Sequence, residues 1–130
     1  MESVEIDIGG KWTVDVLFVP ETEEDFAVLV EAMESVGSTE EDIAETCKLL
    51  SAKWNKGATS SSGWQRRSVV VIGKATSWKQ FFDSILHEVE HVVSDICLWY
   101  DIQQRGEPPA YLQGWIGRGL AEMVRQFACG

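Results

Sequence analysis

Residues 68–100 read SVVVIGKATSWKQFFDSILHEVEHVVSDICLWY, and the expected fold class follows from this stretch. The run Ser68–Ile72 is β-branched, continuous and followed by glycine, which predicts a buried strand. Ser77 and Gln80 have the spacing of a capping box, so we expect the longest helix over about residues 78–100. On a helical wheel, the apolar residues of that helix fill one arc and its two histidines lie outside it.

The residues that precede this stretch predict a hairpin and two short helices. Val4–Ile8 and Trp12–Phe18 alternate apolar and polar residues around a glycine pair, as in a β-hairpin. Thr22 is the expected cap of a first helix, whose first turn is acidic. Ser38 or Thr39 is the expected cap of a second, shorter helix.

Two further segments flank the long strand and helix. Residues 55–66 are small and polar, which predicts a loop in which Trp64 is exposed. Apolar residues recur at helical spacing over about residues 109–127, which predicts a last helix. Three glycines are expected to let that helix pack closely against a neighbour: Gly114, Gly117 and Gly119.

Together, these elements predict a single α+β domain over residues 1–130. We expect a small, twisted, mainly antiparallel sheet formed by residues 3–19 and 67–73. The long helix and the C-terminal helix would cover this sheet. Residues 1–54 would supply an acidic hairpin and helices, and residues 55–130 the half that holds the candidate site.

The charge distribution restricts the possible partners. The formal net charge is −10, and residues 1–50 hold fourteen Asp and Glu against two lysines. An acidic chain repels phosphate backbones, which argues against direct nucleic-acid binding, but its acidic half can attract a basic protein. No apolar run approaches the roughly 20 residues of a membrane span, and the first residues lack secretory-signal features. Three widely spaced cysteines suggest free thiols in a reducing cytoplasm.

The chain has only two histidines, His87 and His91, and with Glu88 they form an HExxH sequence. Residues four apart on an α-helix lie one turn up and about 40° around, so both imidazoles can bind one tetrahedral metal ion. The intervening carboxylate lies beside the open coordination position, where it can take a proton from the water that the metal activates. Two histidines and a carboxylate suit zinc best, which predicts Zn²⁺ as the cofactor.

A catalytic zinc site needs a third protein ligand. Metzincins have a histidine six residues after the second motif histidine, but that position is Cys97, which points away from the histidine face. Glu107 is the better candidate, because a reversal through residues 103–106 can bring it over the histidine pair. A carboxylate at a helix N-terminus is also favoured in its ionised form. Two aspartates remain alternatives: Asp95 and Asp101.

The β-branched strand, the HExxH helix and the Glu that opens the next helix, in the sequence EPPAYL, resemble the gluzincin branch of zincin metallopeptidases. Over about residues 55–120 the chain is also similar to small HExxH proteins of phages and mobile elements of gut bacteria. The resemblance implies that His87, His91 and Glu107 bind zinc and that Glu88 is the general base. It also implies that Ser68–Ile72 is an edge strand that lines the cleft and pairs with an extended peptide.

Two functions are compatible with these residues. The first is a zinc metallopeptidase that hydrolyses peptide bonds, with Glu88 carrying the proton to the leaving amine. The alternative is a non-catalytic binding module of a phage or mobile element, with zinc or without metal, whose acidic N-terminal half docks a basic partner. Nothing in the sequence identifies an oxyanion stabiliser, and the nearest candidates are Tyr100, Arg105 and Tyr111.

Overall fold

A computed structural model describes residues 1–129 of the chain. Four strands and four helices follow one another in the order β1 (Glu2–Asp7), β2 (Thr13–Phe18), α1 (Glu23–Ser35), α2 (Glu40–Ala52), β3 (Gly57–Ser62), β4 (Arg67–Ile72), α3 (Trp78–Tyr100) and α4 (Glu107–Cys129). The predicted α+β class is therefore confirmed. Within residues 1–129, no helix combines the length and the hydropathy needed to cross a membrane.

The four strands form one mixed sheet in the order β1-β2-β4-β3. β1 and β2 pair as the predicted antiparallel hairpin, with Val4 opposite Val16. β2 and β4 are parallel, with Val16 opposite Val70, because the chain returns through α1, α2 and β3 before β4 begins. β3 runs antiparallel to β4. The expectation of a mainly antiparallel sheet is therefore corrected at its central pair, which is parallel.

The segment predicted as a loop contains strand β3, so that prediction was wrong for Gly57–Ser62. The strand reads GATSSS, and without large apolar residues it lacks the alternation by which a half-buried strand is recognised. Thr59 and Ser61 instead form hydrogen bonds to polar side chains of α3. Trp64, in the turn after β3, is 88% exposed, as predicted.

β4 lies inside the sheet, between β2 and β3. Val70 and Ile72 belong to the core on the α3 and α4 side, whereas Val69 and Val71 belong to the core on the other side. A strand covered on both faces carries apolar residues at consecutive positions, as this one does. The implied edge-strand role of Ser68–Ile72 is therefore wrong, and the edge strand beside α3 is β3.

Helices cover both faces of the sheet. α3 and α4 pack on one face, in a core that includes Phe81 and Ile116. α1 and α2 pack on the opposite face around Leu29 and Met33. The predicted caps are correct, since three side-chain hydroxyls accept hydrogen bonds from backbone N–H groups three residues later: those of Thr22, Thr39 and Ser77.

The glycines of α4 differ in their surroundings. A Cβ at Gly119 would lie 2.7 Å from side-chain atoms of Ile6, so this glycine lets α4 approach β1 closely, as predicted. A Cβ at Gly117 would have no neighbour within 4 Å. At Gly114 the nearest atom would belong to the Arg118 guanidinium, at 4.0 Å. The prediction of close packing is correct for Gly119 and wrong for the other two glycines.

Candidate metal site

The two histidines present their ring nitrogens to each other on α3. The Nε2 atoms of His87 and His91 are 3.2 Å apart, and the rings meet edge to face with centroids 4.9 Å apart. Two nitrogen ligands at about 2.0–2.1 Å from one tetrahedral zinc ion are separated by about 3.3–3.4 Å. This separation is close to the one that a shared metal ion requires, and it is also that of a hydrogen bond between the two rings.

The exposure of this pair follows from the apolar pattern of α3. Ile85, Val89 and Val92 are buried in the core between α3, the sheet and α4. Both histidines are exposed. The prediction that the histidine face lies outside the apolar arc is therefore confirmed, and both imidazoles are accessible to a metal ion.

Glu88 lies on a different side of α3, turned toward β3. Its side chain is only 4% exposed, and the Thr59 hydroxyl donates a hydrogen bond to Oε1 at 2.9 Å. A Cβ at Gly57 would lie 3.0 Å from the Cγ of Glu88, so glycine at this position makes room for the carboxylate side chain. Burying a carboxylate is costly without a hydrogen-bond donor, and β3 supplies that donor.

A cavity of about 200 Å³ joins the histidine face to the start of β3. It is lined by Asn55, Lys56, Gly57, Asp83, Ser84, His87 and Glu88. Lys56 and Thr59 were not predicted as site residues, because both lie in the segment predicted as a loop. No pattern in the sequence marks this segment as a strand, because all six of its residues are small or hydroxyl-bearing and no alternation separates its two faces.

Further hydrogen bonds continue along β3 toward the end of α3. The Ser61 hydroxyl donates to Oδ2 of Asp95 at 2.7 Å and also lies 2.7 Å from the hydroxyl oxygen of Ser68. The indole N–H of Trp12 donates to that same Ser68 oxygen at 2.9 Å. Strand β3 is therefore held against α3 by hydrogen bonds, whereas the other strands pack against the helices through apolar side chains.

No third ligand joins the histidine pair in the structure. Across residues 1–128, whose side chains the structure describes, no three His, Cys, Asp or Glu side chains lie close enough together to hold a metal ion. Asp95 accepts the hydrogen bond from Ser61, and Asp101 is the left-handed residue that ends α3. Glu107 is the first residue of α4 and stays a predicted ligand.

The chain reverses after α3 through the predicted segment, and the reversal returns to α3 close to the histidines. Ser94 lies three residues after His91 on α3, and its hydroxyl donates a hydrogen bond to Oε1 of Gln104 at 2.8 Å. Gln113 of α4 and Glu90 of α3 line one cavity between the two helices, so they lie at a similar height along the pair. Glu107 precedes Gln113 by six residues. At about 1.5 Å per residue, Glu107 therefore lies about 9 Å farther along α4, toward the C-terminal end of α3.

The other residues considered from the sequence have different surroundings. The Tyr100 hydroxyl donates to the carbonyl oxygen of Lys11 at 2.7 Å, which ties it to the β1–β2 turn. Tyr111 and Arg105 are exposed and have no hydrogen-bond partner within residues 1–129. Cys97 is fully buried, and burial raises the pKa of its thiol. This burial agrees with the exclusion of a metzincin site.

A scan against protein-family models, a search of curated proteins and a search of solved structures find no match to this chain. The likeness to gluzincins is therefore one of motif. It is carried by four residues: His87, Glu88, His91 and Glu107.

Proposed function

We propose that this protein is a zinc-dependent peptide hydrolase. His87 and His91 hold the metal and Glu88 is the general base. Glu107, which lies apart from the histidine pair in this structure, must approach the pair to complete the ligand set. The observation that supports this proposal best is the 3.2 Å separation of the two Nε2 atoms, next to a buried carboxylate. When bound, zinc polarises the scissile carbonyl and lowers the pKa of a coordinated water.

In this proposal, Glu88 moves the proton that hydrolysis requires. The Thr59 hydroxyl holds Oε1 at 2.9 Å, which leaves Oε2 to take the proton of the attacking water. The same oxygen then returns the proton to the amine of the departing peptide. Because β3 already orients the carboxylate, little reorganisation is needed when the proton moves.

The edge strand β3 offers a place for the substrate. Within the described sheet, β3 pairs only with β4, so one row of its backbone N–H and C=O groups has no strand partner. Such an edge can pair with an extended peptide. A peptide on this edge passes the cavity that Lys56, His87 and Glu88 line. The ammonium of Lys56 favours the negative charge that develops on the scissile carbonyl oxygen.

The test combines metal content with hydrolysis. Protein purified without added metal or an affinity tag is analysed by mass spectrometry as wild type, Glu107→Ala and Glu88→Gln. We expect about one zinc per chain in the wild type and in Glu88→Gln, and its loss in Glu107→Ala. We expect Glu88→Gln to lose cleavage of a mixed peptide library.

Two outcomes would contradict the proposal. One is a wild-type protein that binds no zinc even after zinc is added back. The other is a Glu88→Gln variant that cleaves peptides as fast as the wild type. Absence of zinc binding would mean that His87 and His91 are only two solvated histidines on a helix. Unchanged cleavage by Glu88→Gln would mean that Glu88 is not the general base.

A second candidate function is favoured by the acidic helices on the opposite face of the sheet. α1 and α2 each begin with three acidic residues: Glu23, Glu24 and Asp25, and Glu40, Glu41 and Asp42. We propose as the alternative that this surface docks a basic protein partner. Binding would then weaken steeply as salt rises and would be unchanged in Glu88→Gln.

A further inference from the structure

A second cavity, of about 500 Å³, opens at the far end of β3 from the histidine pair. It is lined by Trp12, Ser61, Gly63, Asp95, Leu98 and Trp99. Asp95 is the single charged residue of this lining. Among residues 1–129, no Lys or Arg nitrogen lies within 4.0 Å of its carboxylate. The cavity therefore contains a negative charge that no basic side chain of the described chain neutralises.

The Asp95 carboxylate is held in a fixed orientation. Ser61 donates to Oδ2 at 2.7 Å and is itself fixed by Ser68 and the Trp12 indole. Within residues 1–129, Oδ1 receives no hydrogen bond. One carboxylate oxygen is therefore anchored to β3, and the other is free to accept a hydrogen bond from a ligand.

Trp99 lines the cavity together with Asp95, and Trp64 packs against Trp99. Trp99 and Trp64 meet edge to face with ring centroids 5.4 Å apart, and they are 41% and 88% exposed. A Cβ at Gly63 would lie 1.9 Å from a ring carbon of Trp99, so glycine lets the indole lie directly against the chain. Indole faces that stay exposed next to a carboxylate attract cations.

We propose that this cavity binds an arginine side chain of the peptide that lies along β3. A planar guanidinium can stack on an indole face while its N–H groups donate to a carboxylate, a geometry that a lysine ammonium does not share. The net charge of −10 also favours the approach of a cationic peptide. The role of the arginine in hydrolysis rests on the proposed function, whereas its binding does not.

The register of β3 places the arginine relative to the cleaved bond. Thr59 contacts Glu88 and Ser61 contacts Asp95, and these two strand residues are two positions apart. A peptide that pairs with β3 advances with the strand, at about 3.3 Å per residue. The arginine therefore lies about two residues from the peptide bond next to Glu88.

The binding test uses the full chain in EDTA and three capped pentapeptides, which carry arginine, citrulline or lysine between flanking alanines. Affinity is measured by isothermal titration calorimetry and by tryptophan fluorescence. Because a charge-assisted hydrogen bond and a cation–π contact are both lost in citrulline, we expect the arginine peptide to bind at least about tenfold more tightly. Equal affinity for arginine and citrulline, or tighter binding of lysine than of arginine, would overturn the proposal.

Matched variants locate the binding. Asp95→Asn still accepts the hydrogen bond from Ser61 but removes the charge, and we expect it to lose the preference for arginine over citrulline. Trp99→Leu removes the exposed indole and should weaken arginine binding several-fold. Glu90→Gln removes one charge from the same helix outside this cavity and should keep the preference. An Asp95→Asn variant with wild-type preference would refute the proposal.

The two proposals fail independently. The binding test contains no metal and measures no cleavage, so a protein that does not hydrolyse peptides can still bind arginine. If hydrolysis is shown and arginine does not bind, the metal site stands and only the substrate class is wrong.

Discussion

Thr59 and Glu88 connect the edge strand β3 to the HExxH helix α3, with the threonine hydroxyl 2.9 Å from Oε1 of the glutamate. The motif carboxylate thus has a fixed position within the fold. The hydroxyl comes from a strand without large apolar residues. The polar character of β3 is therefore part of the site, since an apolar side chain in place of Thr59 would leave a buried charge without its donor.

Replacing Thr59 with valine removes the hydroxyl and keeps the shape of the side chain. We expect the free energy of unfolding to fall by about 1–3 kcal/mol, because the Glu88 carboxylate loses its hydrogen bond. Urea denaturation followed by circular dichroism measures this change. Thr59→Ser keeps the donor and should lose clearly less stability. Equal losses in the two variants would show that the hydrogen bond contributes nothing.

Two glycines of α4, two residues apart, should respond in opposite directions to alanine. In Gly117→Ala the new methyl group enters open space, so we expect helix propensity to raise the free energy of unfolding by about 0.5–1 kcal/mol. In Gly119→Ala it would lie 2.7 Å from Ile6, so we expect a loss of about 1–3 kcal/mol. Thermal and urea unfolding of both variants would test this, and a stabilised Gly119→Ala protein would contradict the close packing of α4 on β1.

Asp25 should make stability depend on pH in the acid range. The backbone N–H groups of Glu21 and Thr22 donate to its carboxylate and hold the pKa of Asp25 below its ordinary value of 3.8. Because the folded pKa is the lower one, the stabilisation is complete above the unfolded pKa and is lost as the pH falls through the folded value. Asp25→Asn should therefore show a flatter decline in stability below about pH 4 than the wild type.

The matched control for this experiment is Glu24→Gln. Glu24 is exposed in the same helical turn and accepts no hydrogen bond within residues 1–129. Urea unfolding between pH 2 and pH 7 would be compared for the three proteins, a range that spans the ordinary pKa of Asp25. If Asp25→Asn and the wild type decline in parallel, the capping carboxylate is not the group responsible.

Zinc should stabilise the folded protein through the two histidines. At a free zinc concentration about 100 times the dissociation constant, we expect the free energy of unfolding to rise by about 2.7 kcal/mol. In His91→Ala, which loses one of the two convergent nitrogens, zinc should produce no such rise. Scanning calorimetry with zinc and with EDTA measures the effect, and an equal increase in both proteins would place the metal elsewhere.

Features set by neighbouring residues could be predicted from the sequence. The caps Thr22, Thr39 and Ser77 act through hydrogen bonds to groups three residues away, and the hairpin follows from alternation around two glycines. The convergence of His87 and His91 depends on helical geometry over four residues, so the HExxH sequence already implied it.

Features set by distant residues could not be predicted in this way. β3 has no apolar periodicity, and its place in the sheet depends on pairing with β4 and on hydrogen bonds to α3. The consecutive apolar residues of β4 already indicated a strand inside the sheet. The resemblance to gluzincins instead implied that β4 is an edge strand, whereas the edge strand beside α3 is β3.

The sequence by itself therefore determined the helices, their caps and the histidine pair, because each depends on contacts within a few residues. The tertiary structure alone decided that Glu88 is buried against Thr59 and that Asp95 faces a cavity lined by Trp12 and Trp99. It also decided that, among the described residues, no third metal-binding side chain lies beside the histidine pair. These arrangements depend on how β3 and α4 pack on α3. Such packing joins residues far apart in the chain, and the small polar side chains of β3 leave no periodic pattern from which the place of that strand could be inferred.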